Sequence, residues 1–181
     1  MSKDQLLISR LQDESTKQSA FSELVNTFQE RLYWHIRKIV LNHDDTDDIL
    51  QNTFLKAWKG IENFRADSGL FTWLYRIATN ESLTFLEQKK RKSMSGLSEI
   101  NEYLMENLET DPFFDGDEVQ LKLQKAIASL PDKQRLVFNM RYYDDMKYQD
   151  MAKILDTSEG ALKASYHHAA KKIEEHLKSA T

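Results

Sequence analysis

Residues Asn63–Asn80 read NFRADSGLFTWLYRIATN, a polar loop that runs straight into an amphipathic helix. The loop carries Phe64, Arg65, Asp67, Ser68 and Gly69, and the helix sets Phe71, Trp73 and Tyr75 among Thr72, Arg76, Thr79 and Asn80. Leu70, Trp73, Leu74 and Ile77 recur at helical spacing and predict a buried stripe. For Leu74 and Ile77 that stripe is a sufficient account. It leaves the loop, Arg76 and Asn80 unexplained, because a core face has no use for amide and guanidinium groups. Aromatic rings beside such groups suit unpaired bases: rings stack on base faces at roughly 1–3 kcal/mol each, and the polar groups read the exposed edges.

Working outward, Phe21, Leu24, Val25, Phe28, Leu32, Ile36, Ile39 and Val40 predict a long amphipathic helix before this stretch. Carboxylates at Asp44–Asp48 suit the start of the next, where they complement the positive helix end and can cap it. Its apolar face is Ile49, Leu50, Phe54, Trp58 and Ile61. The helix from about Phe71 ends near Lys90 in the basic run Lys89–Lys92, which suits a helix C-terminus as well as it suits a phosphate. The connector SMSGLSEINEYLMENLETDPFFDGDE follows, punctuated by Gly96, Pro112 and Gly116. A mobile tether is expected there, with Ile100, Leu104 and Leu108 lining one short helical piece.

Beyond it, a helix carrying Leu121, Ala128 and Leu130 closes at Pro131, and the next presents Leu136, Val137, Met140 and Tyr143. Tyr148, Met151, Ala152 and Leu155 form a short apolar helix; Asp156 and Thr157 turn the chain; Ser158 caps a helix to about Leu177. Short helix, tight turn and second capped helix make a helix-turn-helix pattern. Its second helix enters the major groove, and here its first turns carry Lys163, Ala164, Ser165, Tyr166, His167, His168 and Lys171.

With 181 residues the chain can bury a real core, and two Pro and five Gly against many Leu, Lys, Glu, Ala and Gln favour helices. It has no cysteine, so disulfides, thiolate metal sites and thiol nucleophiles are excluded. The N-terminus lacks the apolar run of a signal peptide, and no stretch approaches the ~20 apolar residues of a membrane span, so no membrane insertion is expected and a cytoplasmic location is. The net charge of −4 conceals an uneven distribution. Residues 1–92 carry 14 Lys/Arg against 13 Asp/Glu, residues 93–118 none against 8, and residues 119–181 carry 11 against 8. Two near-neutral or basic segments therefore flank a strongly acidic connector, and the average says little about nucleic-acid binding. His35, His43, His167, His168 and His176 lack metal-site spacing, and the Asp44–Asp48 cluster lacks the glycine and terminal glutamate of a calcium loop. No phosphate-cradling glycine loop, serine elbow or acid–base pair is evident. No catalytic site, metal or cofactor is expected.

DDILQNTFLKAW (Asp47–Trp58) followed by NFRADSGLFTWLYRIATN resembles region 2 of the extracytoplasmic-function group of bacterial sigma factors. LPDKQRLVFNMRYYDDMKYQDMAKILDTSEGALKASYHHAAKKI (Leu130–Ile173) is similar to their region 4. The resemblance implies an all-α fold of two small helical domains, region 2 over residues 1–92 and a region-4 helix-turn-helix over 119–181, joined by an acidic flexible linker over 93–118. It implies a non-catalytic subunit that directs bacterial RNA polymerase core to promoter DNA, with an anti-sigma factor as a potential third partner. Polymerase docking would fall to Asp47, Asp48, Gln51, Asn52, Phe54 and Leu55, with Asp48 and Gln51 the main polar contacts. Phe64, Arg65, Asp67, Ser68, Trp73, Arg76 and Asn80 would bind the −10 element. Lys163, Ala164, Ser165, Tyr166, His167, His168 and Lys171 would read the −35 element. Many relatives carry several arginines in the recognition helix, and this chain does not, so bidentate guanine reading is largely missing. The alternatives are a stand-alone helix-turn-helix regulator, which leaves Phe64–Asn80 unexplained, and a helical protein-binding module favoured only by the net acidity.

Overall fold

A computed structural model describes residues 2–92, 97–111 and 116–180, with side chains for all of these except 97–100. Among the described residues the regular structure is helical: α1 Lys3–Leu11, α2 Lys17–Val40, α3 His43–Gly60, a single 3₁₀ turn Ile61–Asn63, α4 Leu70–Lys92, α5 Leu97–Glu109, α6 Glu118–Ala128, α7 Asp132–Tyr142, α8 Tyr148–Leu155 and α9 Glu159–Ser179. None of these helices is long and apolar enough to cross a membrane.

Local chemistry sets most boundaries. Ser2 and Gln5 close a capping box over α1, the Gln5 amide N–H donating to Ser2 Oγ at 3.2 Å and the Ser2 N–H to Gln5 Oε1 at 2.8 Å. The cap of α3 is Asn42, whose Oδ1 accepts from the Asp45 N–H at 3.0 Å. The acidic cluster thus supplies first-turn charge rather than the cap itself. Ser158 caps α9 as its position predicts, accepting from the Ala161 N–H at 3.2 Å. Asp156, at φ 50°, ends α8 in the left-handed conformation that aspartate tolerates better than most residues.

The principal core lies among α1, α2, α3 and α4, with Leu11, Leu24, Leu32, Ile36, Leu70 and Leu74 fully enclosed. That core does not stop at residue 92. Leu136, Val137 and Met140 of α7, Met151 and Ile154 of α8, and Leu162 of α9 join the same contiguous cluster. A second, smaller cluster of Ala126, Ile127, Leu130, Phe138, Ala169 and Ile173 holds α6, α7 and α9 together. The C-terminal helices therefore have a core of their own and lay another face against α2 and α4.

Polar contacts pin this packing. Asp144, just after α7, pairs with Lys38 of α2, and its carboxylate lies 3.6 Å from His35 Nδ1. Asp132 of α7 pairs with Lys90 of α4, and Asn139 donates to the Lys38 carbonyl at 3.4 Å. In the connector, α5 is a 13-residue helix whose Leu104 and Leu108 are buried. Its Tyr103 donates to Asp45, and Glu109 pairs with Lys125 of α6 at 2.7 Å. Arg37 reaches from α2 to Asp111 beyond it. Of the expected helical piece, Ile100 lies outside the residues whose side chains are described.

His35 is enclosed between α2, α4 and the α7–α8 turn, stacked on Tyr75 at 4.2 Å, with Nε2 2.7 Å from Thr79 Oγ1. Burial pushes its pKa down, assisted by Lys38 and only partly opposed by Asp144. Burial also raises the Asp144 carboxyl, but His35 and Lys38 outweigh it and hold that group below the usual carboxylate range. The sign follows from linkage. A base whose folded pKa lies below its unfolded value of about 6.5 is neutral in both states at pH 8. As pH falls through that value the unfolded chain takes the proton first, and stability is lost. Asp144 adds its own loss only below about pH 4. The urea midpoint is expected to fall between pH 7.5 and 5.5, with a shallower fall in His35→Gln; parallel slopes would assign the dependence to other groups.

Candidate nucleic-acid and protein interfaces

The loop between the 3₁₀ turn and α4 is anchored at its base. Gln12 Nε2 donates to the Phe64 carbonyl at 2.9 Å and to the Ile61 carbonyl at 3.3 Å. The Phe64 ring is 8% exposed and packs on Trp73, centroids 4.9 Å apart. Phe64 is thus placed as a support beneath the loop. Trp73 in turn lies over Gly60, where an added Cβ would stand 3.4 Å from the indole, an ordinary van der Waals contact. Ala66 sits at φ 57°, a left-handed conformation costing a β-carbon-bearing residue of order 1–2 kcal/mol. It turns the loop so that Arg65 and Asp67 project into solvent with Ser68 half-exposed.

Arg65, Asp67, Ser68, Trp73 and Arg76 converge with Asn63 and Phe64 on one open cavity of about 260 Å³. Arg76 and Asn80 are exposed one turn apart on the same face of α4. Leu74 and Tyr75 point the other way, 0% and 2% exposed, and Ile77 is partly buried. The stripe and the polar face of the sequence are thus the two sides of one helix. The cavity presents a ring, a guanidinium pair, a carboxylate and a hydroxyl, which can hold a planar group and pair with its edge. An adjoining cleft of about 430 Å³ shares Asp67, Ser68, Trp73 and Arg76 and is closed on its far side by Ala152, Lys153 and Asp156.

A different surface lies across α2 and α3. Phe21, Val25, Phe54, Leu55 and Trp58, with Gln51 at the rim, line an almost wholly apolar groove of about 490 Å³. Leu55 is 53% and Trp58 37% exposed, large apolar groups left in water. Phe21 meets Trp58 edge-on at 5.0 Å and Phe54 at 6.3 Å, and Lys17 Nζ sits 4.5 Å over the Trp58 ring. Asp47, Asp48, Gln51 and Asn52 are exposed along α3, with Asp47 3.4 Å from His43. Phe21, Val25 and Trp58 of this groove are read from sequence as ordinary members of buried stripes. The one available signal was the width of the apolar arc on α3, more than a single packed neighbour needs.

In the helix-turn-helix, buried Met151, Ile154 and Leu162 fix α8 against α9. Lys163, Ala164, His167, His168 and Lys171 are exposed on α9. Tyr166 instead stacks on Phe138 at 5.5 Å with planes 9° apart, and Ser165 is half-buried. The structure thus keeps five of the seven sequence-derived positions on the outer face and turns Tyr166 inward, toward α7.

Comparison with known proteins bears on both halves. The family pattern described as Sigma-70 region 2 matches residues 24–92, and that of Sigma-70, region 4 matches residues 120–173. The chain is 29% identical over 181 residues to the ECF RNA polymerase sigma-E factor of Escherichia coli strain K12, covering 94% of this chain and 92% of that protein. It is 27% identical over 190 residues to the RNA polymerase sigma-H factor of Pseudomonas aeruginosa, covering 96% and 93%. In fold it resembles the sigma factor RpoE solved with the anti-sigma factor NepR from Bartonella quintana, with a TM-score of 0.66 at 22% identity over 87% of this chain and 96% of that one. One region spans the helices that carry the loop and the groove, the other spans the helix-turn-helix, and the chain belongs to the extracytoplasmic-function group of the sigma-70 family.

Proposed function

We infer that this chain is an alternative sigma subunit, which brings RNA polymerase core to promoters and helps to open them without chemistry of its own. The observation that carries the reading is the coexistence on one chain of an exposed apolar groove and two separate polar faces suited to nucleic acid. A stand-alone regulator needs only the helix-turn-helix. The groove and the Asp48–Gln51 rim are proposed to seat a coiled coil of the polymerase. The α4 loop is proposed to hold a base flipped from the −10 element, against Trp73 and between Arg65 and Arg76, with Asn80 at that element's upstream edge. Flipping a base costs a few kcal/mol, comparable with one stack and one hydrogen-bonded edge. The loop therefore tips melting only when the polymerase adds contacts, which suits a subunit that is weak alone. An anti-sigma factor is a further partner proposed from the family, and a transcription subunit belongs in the cytoplasm with the chromosome.

The test is transcription from a promoter library by core polymerase with and without the chain. Promoter-specific transcripts that require both components are expected. Sequence-specific DNA binding that needs no core, with no such transcripts, would favour the regulator. The same library locates the −35 contacts. His167→Ala and Lys163→Ala are expected to alter −35 preference while leaving −10 preference intact, at about 1–3 kcal/mol for a base contact. Uniform weakening across all sequences would mark a phosphate contact instead.

A further inference from the structure

We propose that Gln12, at the corner between α1 and α2, is a positioning residue for the loop that takes the flipped base. The proposal rests on the reading of that loop given above and adds the side chain that sets its aim. Gln12 does not line the cavity and acts from one peptide away. Its Nε2 donates to the Phe64 carbonyl at 2.9 Å and to the Ile61 carbonyl at 3.3 Å, so each of its two hydrogens has an acceptor. The Ile61 carbonyl also accepts from the Phe64 N–H at 3.2 Å, the bond that closes the 3₁₀ turn. One carboxamide thus locks the turn to the first residue of the loop. The Phe64 carbonyl and the Arg65 nitrogen share one rigid peptide plane, so fixing that oxygen fixes the direction in which Arg65 leaves the turn.

The loop has little else to hold it. Among the described residues, Arg65–Ser68 make no hydrogen bond beyond one from Ser68 Oγ to the adjacent Gly69 carbonyl, at 3.5 Å. Ala66 is left-handed at φ 57°, and such a conformation persists only where the surrounding structure holds it. The shape of the loop is therefore imposed from its two ends. At one end α4 is fixed by its enclosed Leu70. At the other, the polar tethers come from the α1–α2 corner, where Gln12 holds two carbonyls and buried Lys17 pairs with Glu62 of the turn. Leu11 and Ile61 beside them are fully enclosed in the same core, which makes the corner and the turn a firm footing. Gln12 itself is exposed, and exchanging a surface residue changes global stability little. What its bonds change is the fraction of molecules whose loop is correctly shaped, and base capture falls with that fraction.

The test uses holoenzyme assembled from core polymerase and the full chain, on the promoter transcribed best from the library. Gln12→Met keeps the length of the side chain and loses both donors. Gln12→Glu keeps its shape and turns a carboxylate on two carbonyls. Both are expected to leave closed complexes and the thermal midpoint of the chain nearly unchanged. Both are expected to cut the permanganate reactivity of thymines at least about threefold, Gln12→Glu the more. Base preference at a single −10 position is expected to flatten, which a general loss of stability would not produce. Arg65→Ala reports on the reading of the loop, and Gln12→Met/Arg65→Ala on the coupling. If Gln12 acts by aiming Arg65, the double variant opens promoters no less than Arg65→Ala alone. Suppose Arg65→Ala impairs opening, yet both Gln12 variants open normally or their losses add fully to it. The positioning role is then overturned and the reading of the loop stands. A parallel fall in midpoint, closed complexes and opening would make Gln12 a structural residue and overturn it equally. Opening indifferent to Arg65→Ala, or no opening with core at all, overturns the reading of the loop and the proposal with it.

Discussion

Asp48→Arg combined with Gln51→Ala is expected to abolish binding to RNA polymerase core while leaving the far-ultraviolet circular dichroism unchanged. Both side chains are exposed on α3, and neither contributes to the enclosed core beneath it, so the fold has no stake in them. Charge reversal at the rim of an interface disrupts steering and pairing with the partner. The groove beside the rim is proposed to supply the rest. Leu55 and Trp58 stand in water with a joint apolar surface that only a partner can cover, and central apolar anchors cost about 2 kcal/mol or more on truncation. Leu55→Asp alone is therefore expected to weaken core binding by more than tenfold, since 1.4 kcal/mol already corresponds to a factor of 10. A pull-down or labelled-core titration measures both. Full core affinity in the double variant and in Leu55→Asp would remove this face from the interface.

Replacing Arg65–Ser68 by a Gly/Ser segment of equal length is expected to leave closed promoter complexes nearly intact and to suppress strand opening. The residues that hold the loop's base, Gln12, Phe64 and Trp73, lie outside the replaced segment, so α4 keeps its place. What is lost is the guanidinium, carboxylate and hydroxyl lining of the cavity, and the left-handed turn at Ala66 that aims them. Permanganate reactivity of thymines reads opening directly. A template with a pre-melted bubble is expected to recover much of the lost transcription, because unstacking is the step the loop is proposed to offset. Equal loss on duplex and bubble templates would give the loop another task.

Local patterns carried most of the secondary structure. The α2 stripe from Phe21 to Val40, the Ser158 cap and the turn at Asp156 depend on residues within a few positions of one another, and each is where spacing predicts. Asn42 was harder to see, because Asp44–Asp48 advertises the same helix end more loudly. Among the proposed site residues, those whose character conflicts with a core face stand out from the chain alone, and the structure leaves them exposed: Arg76 and Asn80 on α4, Lys163 and His167 on α9. Residues of core-compatible character do not. Phe64 and Tyr166 are aromatics that could stack on bases or on neighbours, and it is Trp73 and Phe138 that claim them. Phe21 and Trp58 present the opposite case, stripe members on α2 and α3 that the packing leaves at the lip of a groove.

By itself the sequence determined the helices, their order, the uneven charge, the lack of thiol chemistry and the two motifs that mark the family, since all of these rest on residue identity and short-range periodicity. Only the tertiary structure decided which aromatics are buried, that α5 docks within the acidic connector, and that α7 and α8 lie against α2 and α4. The physical reason is that an apolar stripe specifies that a face is covered but not by what. Leu136, Met151 and Ile154 would satisfy helical spacing equally well against α9 alone. Their position in the larger cluster, with Lys38–Asp144 and Lys90–Asp132 alongside, depends on pairs separated by 106 and 42 positions, which no local pattern encodes.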